Sequence, residues 1–346
     1  NLTPPFVRAA MAVRLKSVRN GAPRMSETAN NGMTSAARAA PINPIWGYLA
    51  AGTGSALFAS KAIFIKLAYR EGVDAETLLA LRMIIAMPIY ALAGWWAFQR
   101  SKPQQPLRAW GMAAFIGILG YFLASILDFW GLEFISANLE RVILLTYPMA
   151  VIFLGAVFFR MPIRGYALFS AVLSYVGILI LLLFGAEAHM GGSNVLIGAA
   201  LVFIAGITYA FYQLLAKDSI QIFGGTLFTA VSMLAATVPI LMLFFAKHPV
   251  STLNVAPAAL WPAFWLATLS TAAPTFLIAA GIKLAGSQST AIIGTLSPLI
   301  TIALGVSILG EHFGLTEALG ASLVVSAVAI FTIMDMREQR RQRGLS

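Results

Sequence analysis

Residues 131–148 read GLEFISANLERVILLTYP, and residues 281–298 read GIKLAGSQSTAIIGTLSP. Each stretch opens on glycine and closes on proline, and the two lie 150 positions apart. The same spacing carries Gly155 onto Gly305 and Ala171 onto Ala321. Earlier in the chain an offset of 151 carries Lys66 onto Lys217, Pro88 onto Pro239 and Trp110 onto Trp261, so one residue drops out of register near the third apolar run. Matched Pro, Gly and Trp punctuation across five consecutive elements marks an internal duplication rather than a chance alignment of two apolar stretches.

The duplicated units belong in a bilayer. Of 346 residues, 59% are apolar and 10% are charged, with a mean hydropathy of +0.84. A soluble domain carries roughly 25% charged residues and has the polar surface this chain lacks. Apolar runs of about 20 residues predict helices near 46–67, 76–98, 108–129, 137–159, 163–184, 194–215, 225–246, 259–280, 287–309 and 314–335; barrel strands would be half as long with alternating polarity. Because each unit holds an odd number of spans, the second enters from the opposite side. The expected fold class is therefore an all-α polytopic membrane protein of ten transmembrane helices, arranged as two inverted five-helix repeats. The expected divisions are a disordered basic tail over 1–44, a first repeat over 45–185, a second over 194–335 and a basic tail over 336–346. Met11, Met25 and Met33 are candidate starts within the first tail, which lacks the apolar core of a signal peptide.

Orientation comes from the basic residues. Arg8, Arg14, Lys16, Arg19, Arg24 and Arg38 lie in the first tail, Arg337, Arg340, Arg341 and Arg343 in the last, and Arg100, Lys102, Arg108, Arg160, Arg164, Lys217 and Lys283 in alternate loops. The positive-inside rule places both termini in the cytoplasm, as an even number of spans requires. The formal net charge of +10 is thereby a topology signal, and a nucleic-acid partner is not expected. With no cysteine and scattered histidines at 189, 248 and 312, no metal site and no cofactor are expected. HExxH, GxSxG and Walker signatures are absent, so the protein is not read as an enzyme.

Ionisable groups inside spans cost about 2.5–3.5 kcal/mol each on insertion scales, so each needs a reason to be there. Five qualify: Lys61, Arg82, Asp128, Glu140 and Arg141. All five fall at similar depth toward the external face, and the expected arrangement has Asp128 and Glu140 bridging Lys61, Arg82 and Arg141. The competing reading has Glu140 serving its helix dipole and Lys61 snorkelling to the interface. Against it, the repeat-equivalent positions are Tyr212, Met233, Ile278, Thr290 and Ala291, so one half folds without these charges. The five are candidates for a gate or a proton and solute charge network. Neutral polar groups concentrate instead in the second half. Tyr147, Tyr209, Tyr212, Gln213, Thr271, Thr275, Gln288, Thr295 and Ser297 are candidates for a substrate cavity. For a single Ser or Thr the alternative is an interhelical hydrogen bond, worth about 0.6 kcal/mol in a membrane.

Two stretches, 136–148 (SANLERVILLTYP) and 291–299 (AIIGTLSPL), together with Gly310-Glu311-His312 before Leu319-Gly320, resemble the EamA-type permeases of the drug/metabolite transporter superfamily. Arg160-Met161-Pro162, at the corresponding join of the first half, lacks the acid and departs from that pattern. The resemblance covers about residues 46–335 and implies an inner-membrane carrier that moves a small organic solute, often outward. The expected function is a secondary active exporter of a metabolite or drug working by alternating access, with a small-molecule solute and the lipid bilayer as partners and the proton as coupling ion on Asp128 or Glu140. A lipid-linked sugar flippase, which needs a lateral opening, and a non-transporting scaffold, which needs a closed dry interior, are the alternatives.

Overall fold

A computed structural model describes residues 45–159, 163–185, 193–285, 293 and 297–342. The tail over 1–44, the Arg160-Met161-Pro162 join and the candidates Gln288 and Thr295 lie outside the described residues. The described helices, in chain order, are α1 (Ile45–Arg70), α2 (Ala75–Ser101), α3 (Leu107–Phe134), α4 (Ala137–Phe158), α5 (Gly165–Phe184), α6 (Asn194–Phe223), α7 (Gly225–Lys247), α8 (Pro257–Gly281), α9 (Ser297–Leu309) and α10 (Leu315–Glu338). Nine of these, among the described residues, are long and apolar enough to span a bilayer, and α9 is a shorter apolar helix. Hydrocarbon offers no water to a backbone amide, so a spanning segment closes its own hydrogen bonds by coiling. Two helices outrun their apolar runs. The α3 helix continues to Phe134 and α6 to Phe223, because ends carrying Glu133 or Lys217 and Asp218 can stay helical beyond the hydrocarbon.

The helix pairing shows the duplication directly. The most extensive partnerships are α5 with α10, α1 with α8, α2 with α7 and α3 with α6, while α4 meets α9. Exchanging each helix for the one five places along maps this set onto itself: α1–α8 becomes α6–α3, and the other pairs return to themselves. The repeats are also antiparallel. Arg70, ending α1, and Val195, beginning α6, line one cavity, and the α9–α10 connection reaches the start of α4 through Glu311. This end of the bundle, called here the Asp74 end, gathers the α1–α2, α3–α4, α7–α8 and α9–α10 connections.

The repeats also share an irregularity. Both α3 and α8 widen into a π-helical turn, at Ile118–Leu123 and Thr268–Ala272. The two turns begin 150 positions apart, so they are equivalent features of the two repeats, and a π turn is how a helix absorbs an inserted residue without rotating the helical turns beyond it.

Lipid and protein faces separate cleanly on α5. Leu168, Val172, Leu179 and Leu183 are each more than half exposed, whereas Ala167, Ser170, Ser174 and Gly177 are buried. That small-residue stripe lets α10 approach closely, as membrane helices require when no hydrophobic force drives their association. A Cβ on Gly177 would stand 2.7 Å from the Gly320 carbonyl oxygen, and one on Gly320 would stand 2.9 Å from that of Gly177. Gly177→Leu is therefore expected to destabilise the bundle by about 1–3 kcal/mol, as overpacking does. Its melting temperature in detergent should fall, while Leu179→Ala on the lipid face leaves it nearly unchanged.

Candidate functional site

Helix α1 is interrupted at Ser60, whose N–H and hydroxyl both donate to the Leu57 carbonyl, at 3.2 and 2.7 Å. Helix resumes with Lys61. The interruption turns the Lys61 ammonium toward α3 and α4, where it lies 2.6 Å from Asp128 Oδ2 and 3.2 Å from Glu140 Oε1. The three side chains are only 13%, 5% and 1% exposed, so this is an ion triad in a low-dielectric interior rather than a snorkelling lysine. The Asp128 contact is a hydrogen bond, while the Glu140 contact is a longer ion pair. The two carboxyl groups are close enough to act on each other directly.

Glu140 does not cap its own helix. The first N–H groups of α4 are already taken: Ala137 and Asn138 donate to the Glu311 carboxylate at 2.7 and 3.0 Å, and Leu139 donates to Ser136 Oγ at 3.1 Å. An acid from the second repeat thus holds the helix that carries Glu140 in the first, and the Glu140 side chain is left to face Lys61.

The two arginines depart from the expected bridging. Successive side chains on an α-helix leave about 100° apart, so with Glu140 aimed at α1 and α3, Arg141 points toward α9. Its Nε donates to Thr301 Oγ1 at 3.0 Å and its guanidinium to the Phe58 carbonyl at 3.1 Å. Thr301 in turn donates to the Ala59 carbonyl at 2.9 Å, so α4 and α9 together collect the two carbonyls just before the break in α1. Arg82 donates to Ser125 Oγ at 3.2 Å and lies over the Phe129 ring at 5.1 Å. Neither arginine makes an ion pair among the described residues.

Most of the described cavity candidates form two groups. Tyr147 meets Tyr209 edge-on at 5.6 Å, Tyr209 stacks on Tyr212 at 5.4 Å, and Gln213 follows one turn after Tyr209 on α6. Tyr121, lifted by the α3 π turn, hydrogen bonds Tyr212 between hydroxyls at 3.0 Å. In the α8 π turn, Thr271 Oγ1 donates to Leu266 five residues back, at 2.7 Å. Tyr90 donates to the Thr271 carbonyl at 3.3 Å and meets Thr275 Oγ1 at 3.4 Å. Ser297 is buried one turn before Thr301, apart from both groups. Sequence reasoning misses Ser60, Tyr90, Tyr121, Ser125 and Ser270, whose hydroxyl meets that of Ser60 at 2.7 Å. Polar side chains inside apolar runs are their only trace in the sequence.

A model of the EamA-like transporter family matches residues 45–183 and again 196–333. The chain belongs to the EamA-like transporter family. It is 32% identical to YcbK, an uncharacterized transporter of Bacillus subtilis (strain 168), over 84% of this chain and 92% of that one. A WAT1-related protein of Arabidopsis thaliana is 24% identical over 80% of this chain and 86% of its own. One crystal structure, 18% identical, superposes with a TM-score of 0.57 over 84% of this chain and 98% of the other, a likeness of fold. The protein is thus an integral membrane transporter, built as the two EamA repeats imply, with a small-molecule solute and the bilayer as its partners.

In this EamA-family chain the Asp74 end is open. A cavity of about 530 Å³ is lined by Lys66, Tyr69, Arg70, Glu133 and Glu311 among others. A second of about 360 Å³ runs between α4 and α9 past Asn138, Val142 and Ile302. Across the same end, Lys247 pairs with Glu76 at 2.5 Å and His248 stands 3.5 Å from Asp74. His248 joins two carboxylates close enough to share an ion. The Lys247 ammonium already supplies a positive charge at Glu76, and the cluster ties α2 of one repeat to α7 of the other.

Breaking a buried ion group by removing one partner costs about 3–5 kcal/mol, because the charges left behind stay desolvated. Lys61→Met should lower the melting temperature sharply, and Lys61→Met with Asp128→Asn should recover much of the loss. Equal destabilisation by the single and the double variant would show that the triad is not coupled. Burial pushes the Asp74 carboxyl up, but hydrogen bonds from the Thr77 N–H and hydroxyl, with His248 beside it, bring it below its ordinary value. A carboxyl depressed on folding stabilises the fold above its unfolded pKa and loses that contribution as pH falls through the folded one. Melting temperature should therefore drop below about pH 4, and less so in Asp74→Asn, which keeps a capping oxygen.

Proposed function

We infer that this protein is a secondary active exporter of a small organic metabolite or drug, working by alternating access in the cytoplasmic membrane with both termini in the cytoplasm. Two inverted halves of the same fold can exchange conformations at little energetic cost, which converts a cavity open to one side into a cavity open to the other. The open clefts at the Asp74 end weigh against a non-transporting scaffold. On this orientation that end faces outward, and the polar groups on α1, α3, α6 and α8 form the solute path.

The observation that carries the coupling reading is the Lys61 ammonium shared by two buried carboxylates. Asp128 and Glu140 have no counterpart in the second repeat, where Ile278 and Thr290 stand, so the fold does not require them. Two acids on one base form a site that can take up a proton and release it again as Lys61 moves, and proton loading on one face and unloading on the other is what gradient-driven transport needs.

The test is efflux from proteoliposomes loaded with a mixed pool of amino acids, organic acids and nucleosides, read by mass spectrometry with and without a pH gradient. At least one component should leave about tenfold faster with the gradient, and Asp128→Asn and Glu140→Gln should each remove that stimulation. Full, gradient-independent rates in both variants would eliminate proton coupling at this pair.

A further inference from the structure

The intramembrane charges do not balance. Lys61, Arg82 and Arg141 are three bases set against two acids, Asp128 and Glu140, so one positive charge is left over even with both acids ionised. The contacts identify which one. Lys61 holds both carboxylates, and Arg141 has the Phe58 carbonyl and Thr301 as acceptors in addition to lying over the Phe58 ring. Arg82 has a single hydrogen bond to a neutral hydroxyl, that of Ser125. Its Nε has no partner, and the residue is only 4% exposed.

The acid that acts on Arg82 is Asp128, which is already ion-paired to Lys61. A guanidinium with only a share of one carboxylate is costly in hydrocarbon, and the usual remedy of a pKa shift is closed to arginine, which stays protonated. An Arg fork offers parallel N–H donors at the spacing of a carboxylate, and here the Nε donor is unused beside an Nη2 that meets only a hydroxyl. The surroundings describe the rest of the ligand. The face of the guanidinium is covered by Phe129, the hydroxyls of Tyr90 and Tyr121 lie nearby, and Tyr121 continues into the Tyr212–Tyr209 stack. A solute held there meets one positive charge, several hydroxyls and aromatic walls.

We propose that Arg82 is the anion subsite of the transport path, and that the solute is an organic monoanion whose carboxylate pairs with the Arg82 guanidinium beside Ser125 while its apolar body lies along Tyr121 and Tyr90. The inference rests on the reading of the protein as a transporter and narrows its solute to one charge class. It also assigns separate duties to charges that sit at one depth: Arg82 meets the solute, and the Lys61 triad handles the proton.

The experiment uses three probes with one skeleton and three charges: 3-phenylpropionate, 3-phenylpropanamide and 3-phenylpropylamine. Each is titrated against the full chain in detergent, read by thermal shift and tryptophan fluorescence, and offered to proteoliposomes. The carboxylate should bind at least tenfold more tightly than the amide or the amine. Arg82→Gln should bring it down to the level of the amide, Arg82→Lys should keep part of the preference, and Ser125→Ala should weaken it by a few fold. Wild-type protein alone decides the case if Arg82→Gln fails to fold, since equal affinity for carboxylate and amide overturns the proposal. So does an Arg82→Gln protein that melts earlier but binds the carboxylate as before, which would make Arg82 a structural counter-charge to Asp128. Gradient-driven movement of the amide or amine, but not of the carboxylate, overturns the anion subsite and leaves the transporter reading standing. Arg82-dependent carboxylate binding without movement of any probe supports the subsite and counts against the transporter reading.

Discussion

A hydrocarbon interior gives a backbone carbonyl nothing to bond, so every departure from regular helix must bring its own donors. This requirement shapes the protein's centre. Helix α1 breaks at Ser60, and the Phe58 and Ala59 carbonyls beside the break are met by Arg141 from α4 and Thr301 from α9. Helix α8 widens at Thr268–Ala272, and the Thr271 carbonyl is met by Tyr90 from α2. The polar residues of the bundle interior therefore serve the backbone as well as one another, and the places where the backbone is irregular are the places where chemistry gathers.

That double service explains why the charges sort as they do. A lysine at the restart of α1 can swing between two carboxylates, whereas an arginine committed to a carbonyl and a hydroxyl cannot move without exposing both. Arg141 holds α1 and α4 to α9, and Lys61 contacts both acids. Glu311 extends the same logic across the repeat boundary. Because it supplies the acceptor for the first amides of α4, any rocking of the second repeat that withdraws the α9–α10 connection would strip the cap from the helix that carries Glu140. Two hydrogen bonds thus join the second repeat to the helix that carries the acid.

The architecture is legible in the sequence because its causes are local and repetitive: long apolar runs, loop charges on alternate sides, and Pro148 and Pro298 recurring at one spacing. The members of the charge cluster are legible too, since an ion inside an apolar run stands out. Their partners are not. Sequence reasoning has Asp128 and Glu140 bridge Arg82 and Arg141 as well as Lys61, and the outcome turns on helix rotation, on the break at Ser60 and on neutral acceptors such as Ser125 and Thr301 that look ordinary in one dimension. The π turns are not legible either, since Ile118–Leu123 and Thr268–Ala272 read as ordinary apolar helix.

A widened turn at matching positions in both repeats has a consequence for ancestry. The widening dates most simply to a single five-helix unit that existed before the gene was doubled. The α1–α8, α3–α6, α2–α7 and α5–α10 pairings, which map onto themselves when the halves are exchanged, carry the same mark of duplication. Since then the two halves have diverged in chemistry while keeping the fold: the lysine, arginines and acids of the central crossing stand in the first, where the second has Tyr212, Met233, Ile278, Thr290 and Ala291.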